Sequence, residues 1–130
     1  MGFFSRMAGK SSLVNIKYDL DNLRKVFPNP NASSKYIFLL LENMILAKQN
    51  DVSDGDISKC LSEKLQEAPE DLEALVQSVF AIVKSALQDQ PEQRNKAERQ
   101  FYQKFQEATG APLDESQIST LGKIAMKGNK

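Results

Sequence analysis

Apolar side chains recur every three or four residues along most of the chain, which is the spacing that places them on one face of an α-helix. The clearest stripe consists of Leu72, Val76, Val79, Val83 and Leu87. Alternation of apolar and polar residues at period two, which is typical of a half-buried strand, is absent from the sequence. The pattern therefore predicts an all-α protein.

Turn-forming residues and helix caps divide this pattern into five or six helices. The residues predicted to start them are Ser11 or Ser12, Ser33 or Ser34, the cluster at 50–56, Pro69, Pro91, and Asp114 with Gln117 as a capping box. Residues 28–31 are predicted to form a loop, because proline fixes φ and asparagine tolerates left-handed backbone. Gly110 is predicted to cap the C-terminus of the fifth helix.

The second helix is predicted to lie at the centre of the molecule. Its apolar residues, at 36–41 and 44–46, cover nearly the whole circumference, and such a helix is expected to be buried. Because the loops are short and the chain is long enough for one core, we predict a compact bundle over residues 11–126. Residues 1–10 are predicted to be a flexible N-terminal segment, and residues 127–130 a frayed C-terminus.

The charged residues balance overall but are unevenly distributed. Lys plus Arg and Asp plus Glu number 17 each, so no global positive field attracts nucleic acid, and nucleic acid is not an expected partner. Acidic residues are in excess in 51–92, and basic residues in 1–27 and 94–130. Either oppositely charged faces adjoin or are solvated within one fold, or the acidic middle docks a basic partner or takes part in self-association.

The location of the protein is predicted from its cysteine usage and its longest apolar run. Cys60 is the sole cysteine, so no intrachain disulfide can form and nothing points to an oxidising compartment. Residues 36–41 are the most apolar run, which is far shorter than the roughly 20 residues that span a bilayer. We expect a cytoplasmic protein without a membrane span.

The N-terminal segment is a candidate contact surface. Phe3, Phe4 and Met7 share a helical face bordered by Arg6 and Lys10, a combination that suits weak peripheral contact with an anionic membrane surface or a partner. The alternative is that the phenylalanines pack on the bundle or belong to a frayed terminus.

The residue types that most enzymes use are missing. The chain has no histidine, which removes the commonest general base, the serine–histidine and cysteine–histidine nucleophiles, and nearly every zinc site. Cys60 lies on the apolar side of the third helix and is predicted to be a small buried hydrophobe. Glu42 interrupts the apolar second helix, so it is either a buried carboxylate able to act as a general acid or the solvent edge of that helix.

An acidic turn separates the second and third helices. Asp51, Asp54 and Asp56 surround Gly55 and offer the hard oxygen ligands that calcium or magnesium prefers, although the spacing is not that of an EF-hand. The alternative is that Asp54 or Asp56 caps the third helix while Gly55 eases the turn. No cofactor is predicted unless this turn binds calcium or magnesium.

The same turn carries a resemblance to a known family. Residues 45–58 resemble the helix, Asp-Gly, aliphatic, Ser turn of tellurite-resistance TerB-like domains, residues 109–117 resemble a faint second copy, and residues 1–4 resemble the start of that family. The resemblance implies a compact helical bundle in which two helix pairs repeat the pattern.

The chain departs from the TerB-like pattern at two points. Leu61 stands where the first turn is usually followed by a glutamate, and Gly110-Ala111 replaces the Asp-Gly of the second turn. If acidic residues of the family bind metal, the resemblance carries that role only to Asp54, Asp56 and Asp114.

Three functional hypotheses remain. The leading one is a non-catalytic helical module that acts through protein–protein contacts or self-association, because catalytic residue types are missing and the charge is segregated. The alternative is a divalent-cation-responsive, TerB-like stress-resistance domain. An enzyme that uses Glu42 is the least favoured.

Overall fold

Six α-helices make up the chain in the computed structural model, which describes residues 3–88 and 90–126, with side chains from residue 11 onward. They are α1 (Phe3–Val26), α2 (Pro30–Gln49), α3 (Asp54–Lys64), α4 (Glu70–Leu87), α5 (Pro91–Thr109) and α6 (Glu115–Met126). The described residues contain no strand, so the predicted all-α fold is confirmed. None of these helices, within the ranges just given, is long and apolar enough to cross a bilayer.

The first helix begins earlier than predicted. Phe3 is its first residue, whereas we predicted a start at Ser11 or Ser12 after a flexible segment. No proline interrupts residues 3–26, and adding residues to an existing helix costs far less than nucleating one, so the helix extends toward the N-terminus. Residues 127–130, predicted to fray, lie outside the described residues.

The second helix also begins earlier than predicted. Asn29 is its N-cap and accepts a hydrogen bond from the backbone N–H of Ala32 at 3.0 Å, and Pro30 occupies the first turn. The predicted loop at 28–31 is therefore confined to residues 28 and 29, and the prediction that Ser33 or Ser34 opens the helix is wrong. Proline is suited to this position because its fixed φ is helical and its missing N–H would have no partner within the helix.

Packing places α2 at the centre of the bundle, as predicted. It packs against α1, α4 and α6, while α4 packs against α2, α5 and α6. The burial of α2 is incomplete, because Leu39 and Leu46 remain 39% and 42% exposed. The neighbouring helices leave one stripe of α2 without cover.

Aromatic side chains join α5 to the rest of the core. Phe80 of α4 and both Phe101 and Phe105 of α5 are fully buried. The ring centroids of Phe101 and Phe105 lie 6.0 Å apart, a separation at which aromatic pairs attract each other. These residues hold α5 in place although most of its other positions are polar.

Polar contacts join the C-terminal ends of α1 and α3. The guanidinium of Arg24 donates a hydrogen bond from Nη1 to the carbonyl of Lys64 at 2.9 Å, and Nζ of Lys64 lies 3.0 Å from Oδ2 of Asp21. Arg24 thereby satisfies one of the carbonyls that a helix end leaves without an intrahelical partner, and its charge complements the negative end of the helix dipole.

The ends of α5 and α6 follow the predicted capping chemistry. Gly110 ends α5 in the left-handed conformation with φ of 79°. The backbone N–H of Asp114 donates to Oε1 of Gln117 at 2.9 Å, while the backbone N–H of Gln117 donates to Oδ1 of Asp114 at 2.8 Å. The amide of Gln117 also donates to Oγ of Ser34 at 3.0 Å, which ties the start of α6 to α2.

Two glycines are expected to respond in opposite ways to the same substitution. A Cβ added to Gly122, inside α6, would meet no atom within 4 Å, so Gly122→Ala is expected to raise the free energy of unfolding by about 0.5–1 kcal/mol. Gly110→Ala is expected to lower it by roughly 1 kcal/mol, because alanine is strained at a φ of 79°. Urea denaturation of both variants measures this, and a shift of the same sign in both would contradict it.

Candidate functional site

Ser53 caps the helix that follows the acidic turn. Its side chain accepts a hydrogen bond from the backbone N–H of Asp56 at 3.1 Å. The prediction that Asp54 or Asp56 is the cap is therefore wrong, and Gly55 lies in the first helical turn instead of easing the bend. Asp51 makes the bend, with a φ of 67°, a conformation that aspartate tolerates better than most residues.

The carboxylates of the acidic turn do not converge. Asp54 forms an ion pair with Lys48, its Oδ1 lying 2.6 Å from Nζ, and Asp54 and Asp56 both lie in the first turn of α3, where the helix dipole favours negative charge. Among the described residues no three His, Cys, Asp or Glu side chains form a group that could hold a metal ion. The geometry thus gives Asp51, Asp54 and Asp56 structural roles at a helix start.

The other residues singled out in the sequence are dispersed over the molecule. Glu42 is half-buried on α2, between the exposed Leu39 and Leu46, at the solvent edge of that helix. Asp114, to which the TerB-like resemblance extends, caps α6. The side chains of Phe3, Phe4 and Met7 lie outside the described part of the chain, although their backbone belongs to α1.

Cys60 is buried, as predicted, at a groove between α1 and α3. The groove has a volume of about 320 Å³ and is lined by Leu13, Lys17, Asp56, Lys59, Cys60 and Glu63. Cys60 is 3% exposed, and burial raises the pKa of its thiol, an effect that Lys17 opposes to a smaller extent. A thiol with a raised pKa stays protonated near neutral pH and is therefore a poor nucleophile.

A buried carboxylate that the sequence reasoning missed lies between α1 and α2. Asp19 is 3% exposed, and the side-chain amide of Asn43 donates a hydrogen bond to its Oδ2 at 2.7 Å. Burial raises the pKa of Asp19, and the hydrogen bond from Asn43 opposes that rise. Spacing could have revealed it, since Asp19 follows Ile16 by three residues and precedes Leu23 by four, within the apolar stripe of α1.

Large apolar side chains are exposed on both of the helices that this buried pair joins. On α2, Leu39 and Leu46 lie one turn before and one turn after Asn43, which makes them its neighbours on the helix surface. On α1, Val14 and Tyr18 are 63% and 65% exposed. Both helices joined by the pair thus expose apolar surface, and on α2 that surface lies next to the hydrogen-bonded Asn43.

The exposed face of α2 combines leucines with opposite charges. We define the outer stripe of α2 as Lys35, Leu39, Glu42 and Leu46, four side chains that follow one another at spacings of four, three and four residues. Lys35 is exposed, with its Nζ 5.6 Å from the ring centroid of Tyr36. This stripe is the strongest candidate for a functional surface among the described residues.

Comparison of the chain with protein-family models, with curated proteins and with solved structures finds no match. The TerB-like resemblance therefore stays a prediction.

The role of Ser53 can be tested by removing its side-chain oxygen. Ser53→Ala is expected to lower the free energy of unfolding by about 1 kcal/mol, because the backbone N–H of Asp56 loses its acceptor. Ser58→Ala, at an exposed position of the same helix, is the matched control and is expected to change it by less than about 0.5 kcal/mol. Equal losses in urea denaturation would show that Ser53 is not the cap.

Asp19 is expected to make stability depend on pH in a definite direction. Because its pKa is raised from 3.8 in the folded chain, the folded state holds this proton more tightly than the unfolded state. The contribution of Asp19 to the free energy of unfolding therefore falls as pH rises from 3.8 to the raised pKa of the folded state. At any higher pH the contribution stays at this lower level.

Asp19→Asn removes this dependence, so the variant is expected to gain stability relative to the unsubstituted protein as pH rises from acidic to neutral. Urea denaturation at a series of pH values measures the difference. Glu73→Gln, at an exposed position of α4, controls for the loss of one negative charge. Parallel pH profiles for Asp19→Asn and the unsubstituted protein would contradict the assignment.

Proposed function

We propose that this chain is a non-catalytic helical module that acts through protein contacts made by the outer stripe of α2. The observation that carries the proposal is the exposure of Leu39 and Leu46 on a helix that otherwise lies at the centre of the bundle. Residues elsewhere on α2, such as Ile37, Leu40 and Met44, are completely buried. Leu39 and Leu46 therefore differ from the other leucines of α2 in being exposed to solvent.

Association would bury apolar surface of Leu39 and Leu46 that remains in contact with water in the folded chain. Full burial of a leucine side chain contributes roughly 1.5–3 kcal/mol, and Leu39 and Leu46 are both more than one-third exposed. Because they are two turns apart on one face, a single partner helix or flat surface can cover both. Lys35 and Glu42 supply the charged positions that accompany an apolar centre in protein interfaces.

The buried pair of Asp19 and Asn43 supports such a surface by holding it in shape. At 3% exposure Asp19 offers a partner almost no area, but its hydrogen bond to Asn43 joins α1 to α2 directly beside both leucines. A preformed surface loses less conformational entropy on binding than a mobile one does. The pair is therefore proposed to orient the stripe rather than to contact the partner.

The other two hypotheses gain no support from the described geometry. Asp54 is paired with Lys48, and in the part of the chain that the structure describes no three acidic side chains form a group that could hold a metal ion. Glu42 lies beside exposed leucines rather than in an apolar interior. Cys60 is buried with a raised pKa. We therefore retain the contact function as the one that the geometry supports best.

Site-specific photo-cross-linking tests the proposal in the cells that produce the protein. A photoreactive phenylalanine analogue replaces Leu39 or, in a second variant, Leu46. Gln77 on α4 and Gln100 on α5 are the matched control positions, because both are exposed and lie on other helices. Covalent adducts of defined mass are expected at positions 39 and 46 and not at the controls, because a bound partner lies within reach only of the stripe.

Two results bear on the proposal separately. Adducts at position 39 that disappear when Leu46→Lys is added would show that both leucines face the same partner, since a lysine in an apolar contact carries a desolvation cost. Adducts that are equally abundant at positions 39, 46, 77 and 100, or at none of them, would overturn the proposal. Mass spectrometry of the adduct identifies whether the partner is this chain or another protein.

A further inference from the structure

We infer that the occupant of the outer stripe of α2 is the same stripe of a second copy of this chain, in an antiparallel arrangement around a two-fold axis. The inference rests on the proposed function, because it requires that the stripe makes protein contacts. It adds the identity of the partner and the geometry of the contact.

The order of charges along α2 is what favours a second copy. Lys35 and Glu42 lie at equal distances along the helix from the point between Phe38 and Leu39. A two-fold axis through that point reverses the second helix and sets Lys35 of each copy opposite Glu42 of the other. Two oppositely charged contacts arise from one pattern, which is the self-complementarity that a two-fold interface requires.

A parallel arrangement lacks this complementarity. It would set Lys35 against Lys35 and Glu42 against Glu42, and like charges facing each other across an interface oppose association. The charge pattern therefore selects the antiparallel direction. The acidic excess in 51–92, which favoured self-association as one sequence alternative, plays no part in this contact.

The apolar residues fit the same arrangement. With the axis between Phe38 and Leu39, Leu39 of one copy lies next to Leu39 of the other, at the centre of the contact. Leu46 comes opposite position 31 of the second copy, about 6 Å along the helix axis from Lys35 of that copy, and the aliphatic stem of that lysine can cover part of the leucine. Leu39 thereby loses most of its contact with water, and Leu46 loses part of it.

The size of the stripe sets the expected strength. From Lys35 to Leu46 the helix rises about 16 Å at 1.5 Å per residue, which gives a contact at the small end of the range for specific interfaces. Glu42 also takes part in an interaction within its own chain, so it serves both contacts. We therefore expect a weak dimer, with a dissociation constant of roughly 10–1000 µM.

Charge exchange tests the geometry directly. Sedimentation equilibrium is measured at low salt, over protein concentrations of about 1 µM to 1 mM, for the unsubstituted protein, Lys35→Glu, Glu42→Lys, the double variant, and an equimolar mixture of the two single variants. In a dimer of either single variant, positions 35 and 42 carry the same charge at both of the contacts that they form. The dissociation constant of that dimer is therefore expected to be roughly ten-fold higher. Circular dichroism confirms that every variant retains its helices.

The mixture and the double variant give the sharpest results. In an antiparallel heterodimer of Lys35→Glu with Glu42→Lys, both contacts again pair a positive with a negative charge. The mixture is therefore expected to associate as strongly as the unsubstituted protein. The double variant is expected to do the same, because it exchanges the two charges within one chain. A parallel dimer would instead make the mixture associate more strongly than the unsubstituted protein. Lys96→Glu and Glu73→Lys, at exposed positions of α5 and α4, carry the same charge changes and are expected to leave association unchanged.

Three outcomes would overturn the inference. They are a strict monomer at about 1 mM protein, single variants that dimerise as strongly as the unsubstituted protein, and a mixture that exceeds it. None of these removes the proposed function, because adducts with a different protein at positions 39 and 46 would still show that the stripe makes protein contacts.

Discussion

The structure depends above all on the burial of α2 between α1, α4 and α6. Ile37, Leu40, Leu41 and Met44 have no exposed surface, and burying side chains of this size is the main favourable contribution to folding. Two helix pairs, α1 with α2 and α4 with α5, have the most extensive contacts. The packing of α2 against α4 joins these pairs into one bundle. The terminal α6 closes the assembly against the same helix.

Polar contacts determine how the helices are positioned around that core. Asn43 and Asp19 join α2 to α1, Gln117 and Ser34 join α6 to α2, and Arg24 joins α1 to the last carbonyl of α3. Apolar packing has little directional preference, whereas each of these hydrogen bonds requires one relative position of two helices. The cost is a buried carboxylate whose pKa is raised by desolvation. The hydrogen bond between Asp19 and Asn43 also lies next to the outer stripe of α2. The same contact therefore positions α1 on the core and supports the candidate interface.

The candidate contact surface on α2 exists because the neighbouring helices do not cover all of its apolar side chains. The outer stripe of α2 uses the same kind of residue as the core, and Leu39 differs from Leu40 only in the direction in which it points. A metal or catalytic site needs side chains that converge on one point, and among the described residues the acidic turn does not achieve this. A contact surface needs only apolar area with charges in a suitable order, which the outer stripe provides.

The sequence by itself determined the helical fold, the approximate number of helices, the cap at Gly110, the capping box of Asp114 and Gln117, and the central place of α2, because spacing and capping are local properties of the chain. It misplaced the starts of α1 and α2, because no proline interrupts residues 3–26 and because Pro30 suits a first helical turn. It also missed Ser53, rather than an aspartate, as the cap of α3, because several neighbouring residues are equally good local caps. Only the tertiary structure decided that Leu39 and Leu46 are exposed and that Asp19 is buried against Asn43. An apolar pattern states that a side chain prefers to be covered, but the packing of the neighbouring helices determines which side chains actually are.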